Sequence, residues 1–513
     1  MTGTLRGLLR HSAATHPDRR AVEDPERDGA INYRALDRAA DFITDALVRN
    51  GVSAGDRVGL YAPKSIAAVS AIFGILALRA AYVPVDPGSP PRRNAKIFED
   101  CAVNAVVLEK SLVEVFQAAW HGPPMGTVEE LGDSLVLVAN MARDGESVSR
   151  PATSDPIDDV AYILYTSGST GQPKGIVHTD RSALSFIDWC SQQFEPTEHD
   201  RFSSHAPFHF DLSILDIYLP IKHGATLVLI GDDASRQPRA LAPLIADRRI
   251  TIWYSTPSIL RLLEEYGRLH ELDCSALRLV LFAGEVFPVK HLRALKKIWP
   301  APKYYNLYGP TETNVCTCYN IPPEIPDDRA DPFPIGFVCS GDRAIVADEK
   351  GHEVEPGNEG ELLVTGGSVM QEYWALPEKT AEVFVVDSAT RWYRTGDIVR
   401  QSPRDGYIFV GRRDRMVKRR GYRVELGEIE AALYRHSRVN EAAVTSLPDE
   451  ENGVSVRAYL AISPGSRPSL VEMKRFCTEQ LPAYMIPDRF VFLETLPKTS
   501  TDKIDYNRLK ELS

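Results

Sequence analysis

The chain is 513 residues long, which is more than a single hydrophobic core usually holds, so two or more domains are expected. With 43% hydrophobic and 25% charged residues it has the composition of a soluble globular enzyme, and its net charge of −11 argues against a general nucleic-acid-binding protein. No apolar run is long enough to span a membrane, no cleavable leader is visible, and the seven cysteines form no CxxC pair, so we expect no membrane partner and a cytoplasmic location.

Apolar runs that predict β-strands alternate with helical stretches along the chain. Strands are predicted at Arg57–Tyr61, Ala105–Leu108, Val160–Leu164, Thr226–Ile230 and Leu279–Phe282. Helices are predicted at Ser65–Ala81 and Pro257–Tyr266. This alternation is typical of an α/β architecture with largely parallel sheets.

A loop rich in Ser, Thr and Gly is predicted directly after the strand Val160–Leu164. Its backbone N–H and hydroxyl groups are suited to surround phosphate oxygens, and Lys174 adds positive charge. Pro173 precedes Lys174, so the loop is not a Walker A motif. A solvated connection is the alternative. The residues expected to hold phosphates are Thr166, Ser167, Gly168, Ser169, Thr170, Gly171 and Lys174.

A polar turn at Gly411–Asp414 follows a strand predicted at Tyr407–Val410. We expect a domain boundary here, with a large N-terminal domain over residues 1–411 and a small C-terminal α/β domain, called the lid below, over residues 412–513. One continuous domain with a polar turn at this place is the alternative.

Further segments occur in a fixed order. They are Asn306-Leu-Tyr-Gly-Pro-Thr-Glu-Thr313, Tyr393-Arg-Thr-Gly-Asp397, Gly411-Arg-Arg-Asp414 and Lys503-Ile-Asp505. Together with the Ser/Gly loop they resemble the adenylate-forming superfamily, which contains acyl-CoA synthetases, luciferases and peptide-synthetase adenylation domains. The resemblance narrows to amino-acid adenylation domains at Ala80-Ala-Tyr-Val-Pro-Val-Asp-Pro87, Phe210-Asp-Leu-Ser213 and Lys418-Arg-Arg-Gly-Tyr-Arg-Val-Glu425. It covers nearly the whole chain and implies a mobile lid that is hinged at Asp414.

This resemblance implies that ATP binds at the Ser/Gly loop and at Thr311-Glu312-Thr313. Thr311 is expected to contact the α-phosphate, Glu312 to bind Mg²⁺, and Thr166, Ser167 and Thr170 to hold the outer phosphates. Mg²⁺ prefers oxygen ligands and clamps phosphates, which fits a carboxylate at this place. An ordinary helix start is the alternative for the Thr-Glu-Thr segment.

The resemblance also implies residues for the sugar and the base. Asp397 and Arg412 are expected at the ribose hydroxyls, Tyr308 on the face of adenine and Asn306 at its edge. The other implied nucleotide contacts are Gly284, Glu285, Leu307, Gly309 and Phe409.

Lys503 is the expected catalytic residue. Its ammonium group would bridge the substrate carboxylate and the charge that develops at the α-phosphorus, which by analogy with an oxyanion-hole donor contributes about 10²–10³ in rate. The family often has Asn-Gly before this lysine, whereas Thr501-Asp502 precedes it here and adds a negative charge.

Asp211 stands where amino-acid-activating members of the family hold the α-ammonium group. Because a buried carboxylate needs a cationic partner, it favours an amino acid over a plain carboxylic acid, with a helix N-cap as the alternative. The implied side-chain pocket between Asp211 and Lys503 consists of Leu212, Leu215, Tyr254, Leu281, Ala283, Leu307, Val315 and Cys316. No charge occurs in this set, so a small to medium apolar amino acid is expected.

Read in order, the pocket resembles that of free-standing L-proline adenylation enzymes. The resemblance implies that L-proline and ATP form prolyl-AMP, and that the prolyl group then moves to the phosphopantetheine thiol of a peptidyl-carrier protein. Because the chain ends soon after Lys503, a separate carrier is expected, with the product feeding pyrrole or dehydroproline biosynthesis. The alternatives are another small apolar amino acid, transfer to CoA, or a non-catalytic scaffold.

Residues 412–423 contain seven Lys or Arg residues. Such a run is usually a solvated face. The resemblance implies instead that the lid rotates after adenylation and turns Arg419–Tyr422 toward the path of the thiol. Arg419 and Arg420 are then expected to attract an acidic carrier protein.

Overall fold

The computed structural model describes residues 3–139, 159–168, 172–387, 390–413, 415–449, 453–462, 467–498 and 504–512. These residues contain fifteen α-helices and 27 β-strands, labelled in chain order. Residues with predicted roles that lie outside the described residues are Ser169, Thr170, Gly171, Asp414 and Lys503.

The helices begin at recognisable caps. Ser65 accepts a hydrogen bond from the N–H of Ala68 at the start of α3, and Thr179 forms a capping box with Ser182 at the start of α6. The helices are α1 (Leu5–Thr15), α2 (Tyr33–Arg49), α3 (Ile66–Ala77), α4 (Pro91–Asp100), α5 (Val113–Ala119), α6 (Asp180–Phe194), α7 (Ser213–Lys222), α8 (Asp232–Ser235), α9 (Pro238–Asp247), α10 (Pro257–Tyr266), α11 (Val289–Ile298), α12 (Pro377–Glu382), α13 (Leu426–Leu433), α14 (Leu470–Gln480) and α15 (Tyr506–Glu511).

The first sheet has nine strands in the order β16-β15-β14-β13-β12-β10-β11-β1-β2. It is parallel from β14 to β1 and antiparallel at both edges. The strands at Thr226–Leu229, Ile252–Ser255 and Leu279–Ala283 are buried at every residue, as their largely apolar sequences predict. The strands are β1 (Arg20–Asp24), β2 (Gly29–Asn32), β10 (Arg201–Ser204), β11 (Thr226–Leu229), β12 (Ile252–Ser255), β13 (Leu279–Ala283), β14 (Lys303–Tyr308), β15 (Thr317–Ile321) and β16 (Phe337–Val338).

The second sheet has eight strands in the order β19-β9-β8-β4-β3-β5-β7-β6. Its antiparallel pair β8–β9 carries the Ser/Gly loop at its turn. The strands are β3 (Arg57–Tyr61), β4 (Ala81–Pro84), β5 (Ala105–Glu109), β6 (Val128–Leu131), β7 (Leu135–Ala139), β8 (Val160–Thr166), β9 (Lys174–Thr179) and β19 (Glu372–Tyr373).

A third, antiparallel sheet of five strands precedes the C-terminal part. Its strands are β17 (Arg343–Ala347), β18 (Glu359–Thr365), β20 (Phe384–Asp387), β21 (Thr390–Ser402) and β22 (Gly406–Arg412). The lid then adds a two-stranded hairpin and a three-stranded sheet, formed by β23 (Met416–Arg419), β24 (Tyr422–Glu425), β25 (Val439–Asp449), β26 (Gly453–Ile462) and β27 (Arg489–Leu493).

The lid has a hydrophobic cluster of its own. Val424, Ile429, Val444, Leu460 and Met473 belong to this cluster, which draws only on residues after 416. An independent core is what a separate domain requires. The boundary at 411/412 stays a prediction, because Gly411 and Arg412 still pair within β22 with Ile398 and Asp397.

The predicted α/β class is confirmed, and the predicted strands and the helix Pro257–Tyr266 are present. Two expectations were wrong in part. The helix predicted at Ser65–Ala81 ends at Ala77, because Arg79 turns the chain with φ of +59° and Ala81 begins β4. The sheets are parallel only at their centres, since antiparallel pairs form their edges and the whole third sheet.

Within the described residues no helix combines the length and apolarity needed to cross a membrane.

Candidate active site

A cavity lies where the parallel strands of the first sheet end, the usual place for a ligand in an open α/β sheet. Tyr254 is in β12, Ala283 ends β13, and Thr311 follows β14, while the lid hairpin β23–β24 supplies further walls. The lining residues are Phe186, Phe210, Asp211, Leu212, Tyr254, Ala283, Gly284, Gly309, Pro310, Thr311, Asn314, Val315, Arg412, Met416, Lys418, Gly421 and Arg423.

Asp211 presents a half-satisfied carboxylate to this cavity. The hydroxyl of Thr311 donates a 2.6 Å hydrogen bond to Oδ2, whereas Oδ1 is buried and has no hydrogen-bond partner among the described residues. Burial raises the pKa of Asp211, with the Thr311 bond and the charge of Lys418 opposing the rise. No side-chain capping bond forms at Leu212, the N-cap of α7. The free oxygen is therefore suited to a cationic ligand group.

The predicted side-chain pocket separates into a lining and a backing layer. Leu212, Tyr254, Ala283 and Val315 line the cavity. The other four predicted pocket residues are buried but do not line it: Leu215, Leu281, Leu307 and Cys316. The apolar members of the lining fit a compact apolar side chain, while Arg412, Lys418 and Arg423 give the same cavity positive charge.

Tyr308 and Arg412, predicted at the base and the ribose, both bond to Asp397, which is also predicted at the ribose. The hydroxyl of Tyr308 donates to Oδ2 of Asp397, and Nη1 of Arg412 lies 2.6 Å from Oδ1. Burial and the neighbouring Asp397 raise the pKa of Tyr308, so its hydroxyl stays a donor. Asp397 is 3% exposed, and this network fixes the orientation of its carboxylate.

Other predicted nucleotide residues bond to protein groups. Asn306 donates to the carbonyl of Pro334 at 2.9 Å. Glu285 accepts hydrogen bonds from the amide of Ser258 at 3.0 Å and from the amide of Gly421 in the lid hairpin at 2.7 Å. The structure therefore assigns Glu285 a contact with the lid that its sequence did not predict. Of the remaining predicted residues, Gly284 and Gly309 line the cavity, Leu307 is buried, and Phe409 packs beside the core of the third sheet.

At the Ser/Gly loop, two described hydroxyls differ in their partners. Thr166 Oγ1 is buried and has no partner among the described residues. Ser167 Oγ donates to the carbonyl of Arg423 at 2.8 Å and accepts from the amide of Glu425 at 3.2 Å. A Cβ at Gly168 would lie 2.1 Å from the carbonyl of Gln172, so only glycine fits there.

Lys174 and Glu312 form one buried polar cluster. Glu312 is 0% exposed, and its Oε1 lies 3.1 Å from Nζ of Lys174, 2.7 Å from the hydroxyl of Tyr373 and 3.0 Å from Nη1 of Arg423. Although burial opposes it, Arg423 and Lys174 hold the pKa of Glu312 well below its usual range. Burial lowers the pKa of Lys174 to about 8.

The lid hairpin brings into the cavity residues that sequence reasoning did not place there. Lys418 and Arg423 line it together with Met416. Burial lowers the pKa of Lys418, while the charges of Asp397 and Asp211 oppose this. The basic run was the available signal, but such runs are usually solvated.

The expectation that Arg419 attracts a carrier protein is wrong. Its side chain is 6% exposed and donates to the carbonyls of Tyr484 at 3.1 Å and Ile486 at 2.7 Å. Arg420 is exposed, so only this member of the predicted pair is available to a partner.

Gly421 lies at the closest approach of the hairpin to the first sheet. Its φ is +83°, and a Cβ there would lie 2.3 Å from Cγ2 of Thr256. Tyr422 beside it stacks between Phe210 at 5.4 Å and Tyr484 at 4.0 Å, measured between ring centroids. Glycine is therefore required where the hairpin packs over the cavity.

The residues next to Lys503 pack within the lid. Ile504 bridges to Lys498, and the amide of Asp505 donates to the carbonyl of Pro497 at 2.8 Å. Ile504 and Tyr506 pack against a small lid cluster that contains Tyr459. Apart from Arg412 in β22, the described lid residues that line the cavity belong to the hairpin and not to this segment.

The chain is similar to known proteins along nearly its whole length. The profile of the AMP-binding enzyme family matches residues 9–374, and that of the AMP-binding enzyme C-terminal domain matches residues 428–503. An L-proline–[L-prolyl-carrier protein] ligase of Pseudomonas fluorescens is 40% identical over 502 residues, covering 98% of this chain and 97% of the relative. A ligase with the same name from Streptomyces coelicolor is 37% identical over 527 residues, with 98% and 95% covered. The crystal structure of IdnL1 superposes with a TM-score of 0.81 at 30% identity and covers 97% of this chain and 99% of its own.

Proposed function

The chain belongs to the AMP-binding enzyme family, and we propose that it is an ATP-dependent, AMP-forming ligase that loads L-proline onto a separate peptidyl-carrier protein. In the first step a carboxylate oxygen of proline attacks the α-phosphorus of ATP, giving prolyl-AMP and pyrophosphate. In the second step the phosphopantetheine thiol loses its proton, attacks the prolyl carbonyl and expels AMP. Mg²⁺ belongs to the proposal as the ion that accompanies ATP.

The observation that carries the proposal is the half-satisfied carboxylate of Asp211 in the cavity. A cationic α-amino group would donate to the buried Oδ1, whereas a plain carboxylic acid would leave that oxygen without a donor. Leu212, Ala283 and Val315 give the cavity an apolar surface, which suits the ring of proline. The names of the two relatives support the same amino acid and the same acceptor.

Thr311, Asp397 and Lys503 have the other proposed roles in the reaction. Thr311, held by Asp211, is proposed to face the α-phosphate, so that the amino group and the reacting phosphorus lie on either side of one hydrogen bond. Asp397, oriented by Tyr308 and Arg412, is proposed to accept from the ribose hydroxyls. Lys503 keeps its proposed role at the developing negative charge. We also propose that the prolyl thioester feeds pyrrole or dehydroproline biosynthesis.

The deciding experiment is ATP–pyrophosphate exchange with each proteinogenic amino acid in turn. We expect exchange to be dominated by L-proline. Dominance of another apolar amino acid would keep the ligase and remove proline, and exchange with none would overturn the proposed function. Transfer from radiolabelled prolyl-AMP to a phosphopantetheinylated carrier, with CoA in a parallel reaction, then identifies the acceptor.

A further inference from the structure

The carboxylate expected to bind Mg²⁺ is already saturated with protein cations. Lys174 lies 3.1 Å from Oε1 of Glu312, and Nη1 of Arg423 lies 3.0 Å from Oε1 and 3.2 Å from Oε2. Tyr373 donates a further hydrogen bond of 2.7 Å. A divalent cation would meet Lys174 and Arg423 on Oε1 and Arg423 on Oε2, in a buried site where like charges repel strongly. With the hairpin docked as it is, Glu312 does not fit Mg²⁺.

Lys174 and Arg423 differ in whether they can move away from Glu312. Lys174 begins β9, which is paired on both sides in the second sheet, with β8 and β19, and also contacts Tyr373. Arg423 belongs to the lid hairpin, whose strands β23 and β24 pair only with each other among the described residues. Only Arg423 can therefore withdraw without disrupting a sheet of the N-terminal part.

The same hairpin occupies a second group predicted for the nucleotide. Ser167, expected at the outer phosphates, is bonded on both sides to the backbone of Arg423 and Glu425. Gly421 is held in addition by Glu285. The docked hairpin thus covers both the expected metal ligand and an expected phosphate ligand.

We infer that Arg423 takes the place of the metal ion on Glu312, so that hairpin docking and Mg²⁺ binding at this carboxylate exclude each other. This inference rests on the proposed function, because it requires that the cavity bind a nucleotide. It makes Arg423 a positioning residue: it neutralises Glu312 during thiol transfer and keeps the hairpin away while a metal–nucleotide complex is bound. The order of the two half-reactions then follows from one shared carboxylate.

Hydrogen–deuterium exchange of the full-length protein tests this competition without turnover. The probe is α,β-methylene-ATP, added once with Mg²⁺ and once with EDTA, and its binding is measured by calorimetry in the same buffers. The readout is the peptide covering residues 416–425, which contains the bonded amides of Gly421 and Glu425. The lid strands β25 and β26 serve as the internal reference, because they pair within the lid.

We expect Mg²⁺ with the analogue to speed exchange of the hairpin amides about tenfold, with little change when EDTA replaces Mg²⁺. In Arg423→Gln the hairpin should exchange fast in both conditions. Arg420→Gln is the matched control, because Arg420 is an exposed arginine of the same hairpin whereas Arg423 is the one that contacts the buried Glu312, and it should behave like the wild type. Unchanged exchange of β25 and β26 in Arg423→Gln would show that its lid is folded.

Three results would overturn the inference. The first is a hairpin that stays protected with Mg²⁺ while calorimetry shows the analogue bound. The second is release by the analogue in EDTA, which would place the competition at Ser167 and not at Glu312. The third is an Arg423→Gln protein that retains the full Mg²⁺ response. If the analogue does not bind at all, the proposed function fails as well, and calorimetry distinguishes that outcome from the others.

Discussion

The hydroxyl of Thr311 donates to Oδ2 of Asp211 over 2.6 Å, although the two residues are 100 positions apart in the chain. This bond joins the residue proposed for the α-phosphate to the residue proposed for the amino group. It also fixes the Asp211 carboxylate so that Oδ1, the oxygen without a partner among the described residues, remains for the substrate. A substrate whose amino group binds Oδ1 therefore lies beside Thr311, the residue proposed to face the α-phosphate.

Asp211→Asn should weaken amino-acid binding while leaving ATP binding nearly unchanged. The substitution keeps the shape of the side chain but removes the charge, and losing one partner of a buried charge pair costs about 2–5 kcal/mol. The Michaelis constants for L-proline and ATP in pyrophosphate exchange are the measurement. Equal Michaelis constants for proline in the variant and the wild type would refute the assignment.

The raised pKa of Asp211 predicts a pH dependence. As the pH falls through this raised pKa, the carboxylate is protonated and loses its attraction for the α-ammonium group. The value of kcat/KM for L-proline should therefore fall on the acid side, beginning at a higher pH than an ordinary aspartate would give, since kcat/KM reports groups of the free enzyme. In Asp211→Asn this acid limb should disappear, and its persistence would show that another group titrates.

Local pattern was sufficient for the elements that carry their own signal. The apolar run at Val160–Leu164 lies inside β8, and Pro257–Tyr266 is helical over the predicted span because its proline begins it and an amphipathic pattern continues it. The resemblance placed Tyr308, Asp397 and Arg412 around one nucleotide, and in the structure Tyr308 and Arg412 both bond to Asp397.

Contacts set by docking of the lid had no local signal. Arg423 reaches Glu312 across 111 positions, and Phe186 lines the cavity although it belongs to none of the motifs. A basic segment looks the same in sequence whether water or a buried carboxylate is its partner. The sequence therefore indicates either a solvated run or a loop that faces the path of the thiol and attracts a carrier protein, and neither identifies Glu312 as the partner of Arg423. The backing layer was misjudged for a related reason: Leu215 and Leu281 are as apolar as the lining residues, and only the tertiary packing separates them.

Asp397→Asn should raise the Michaelis constant for ATP. Hydrogen bonds to a charged group contribute about 1.5–3 kcal/mol, and the variant loses the charge that accepts from Tyr308, from Arg412 and, as proposed, from the ribose. Tyr308→Phe removes only one donor and should cost about 0.5–1.5 kcal/mol. A change in the proline constant, with the ATP constant unaffected, would contradict a nucleotide role.

Lys503→Ala should slow prolyl-AMP formation by about 10²–10³. Transfer of the prolyl group from preformed prolyl-AMP to the carrier should continue, because the lysine is proposed to act only in the first step. Single-turnover assays of each step are the measurement. Lys498→Ala is the matched control, since its lysine pairs with Glu441 on the lid; loss of both steps in Lys503→Ala would mean that the lysine is misassigned.

Arg93→Met should slow thiol transfer and leave pyrophosphate exchange intact. Arg93 in α4 forms an ion pair with Glu428 in α13 across the interface of the lid, and both side chains are largely buried. Breaking such a pair costs about 3–5 kcal/mol, and here the cost falls on the docked arrangement of the lid.

The control for this interface is Arg92→Gln, which changes an arginine of the same helix that pairs with Glu99 of that helix. It should transfer the prolyl group at the wild-type rate. A double-mutant cycle with Glu428→Gln isolates the pair. Additive effects of the two substitutions would show that the ion pair does not hold the lid.

Arg419 ties the hairpin to the rest of the lid through the carbonyls of Tyr484 and Ile486. Because these bonds join the hairpin to the body of the lid, a change in the position of the lid also moves the hairpin residues that line the cavity. An antibody fragment that bridges the solvent side of the lid and the N-terminal part would therefore hold the hairpin in place and arrest turnover without touching the substrate. Inhibitors of this protein need not resemble an amino acid or a nucleotide.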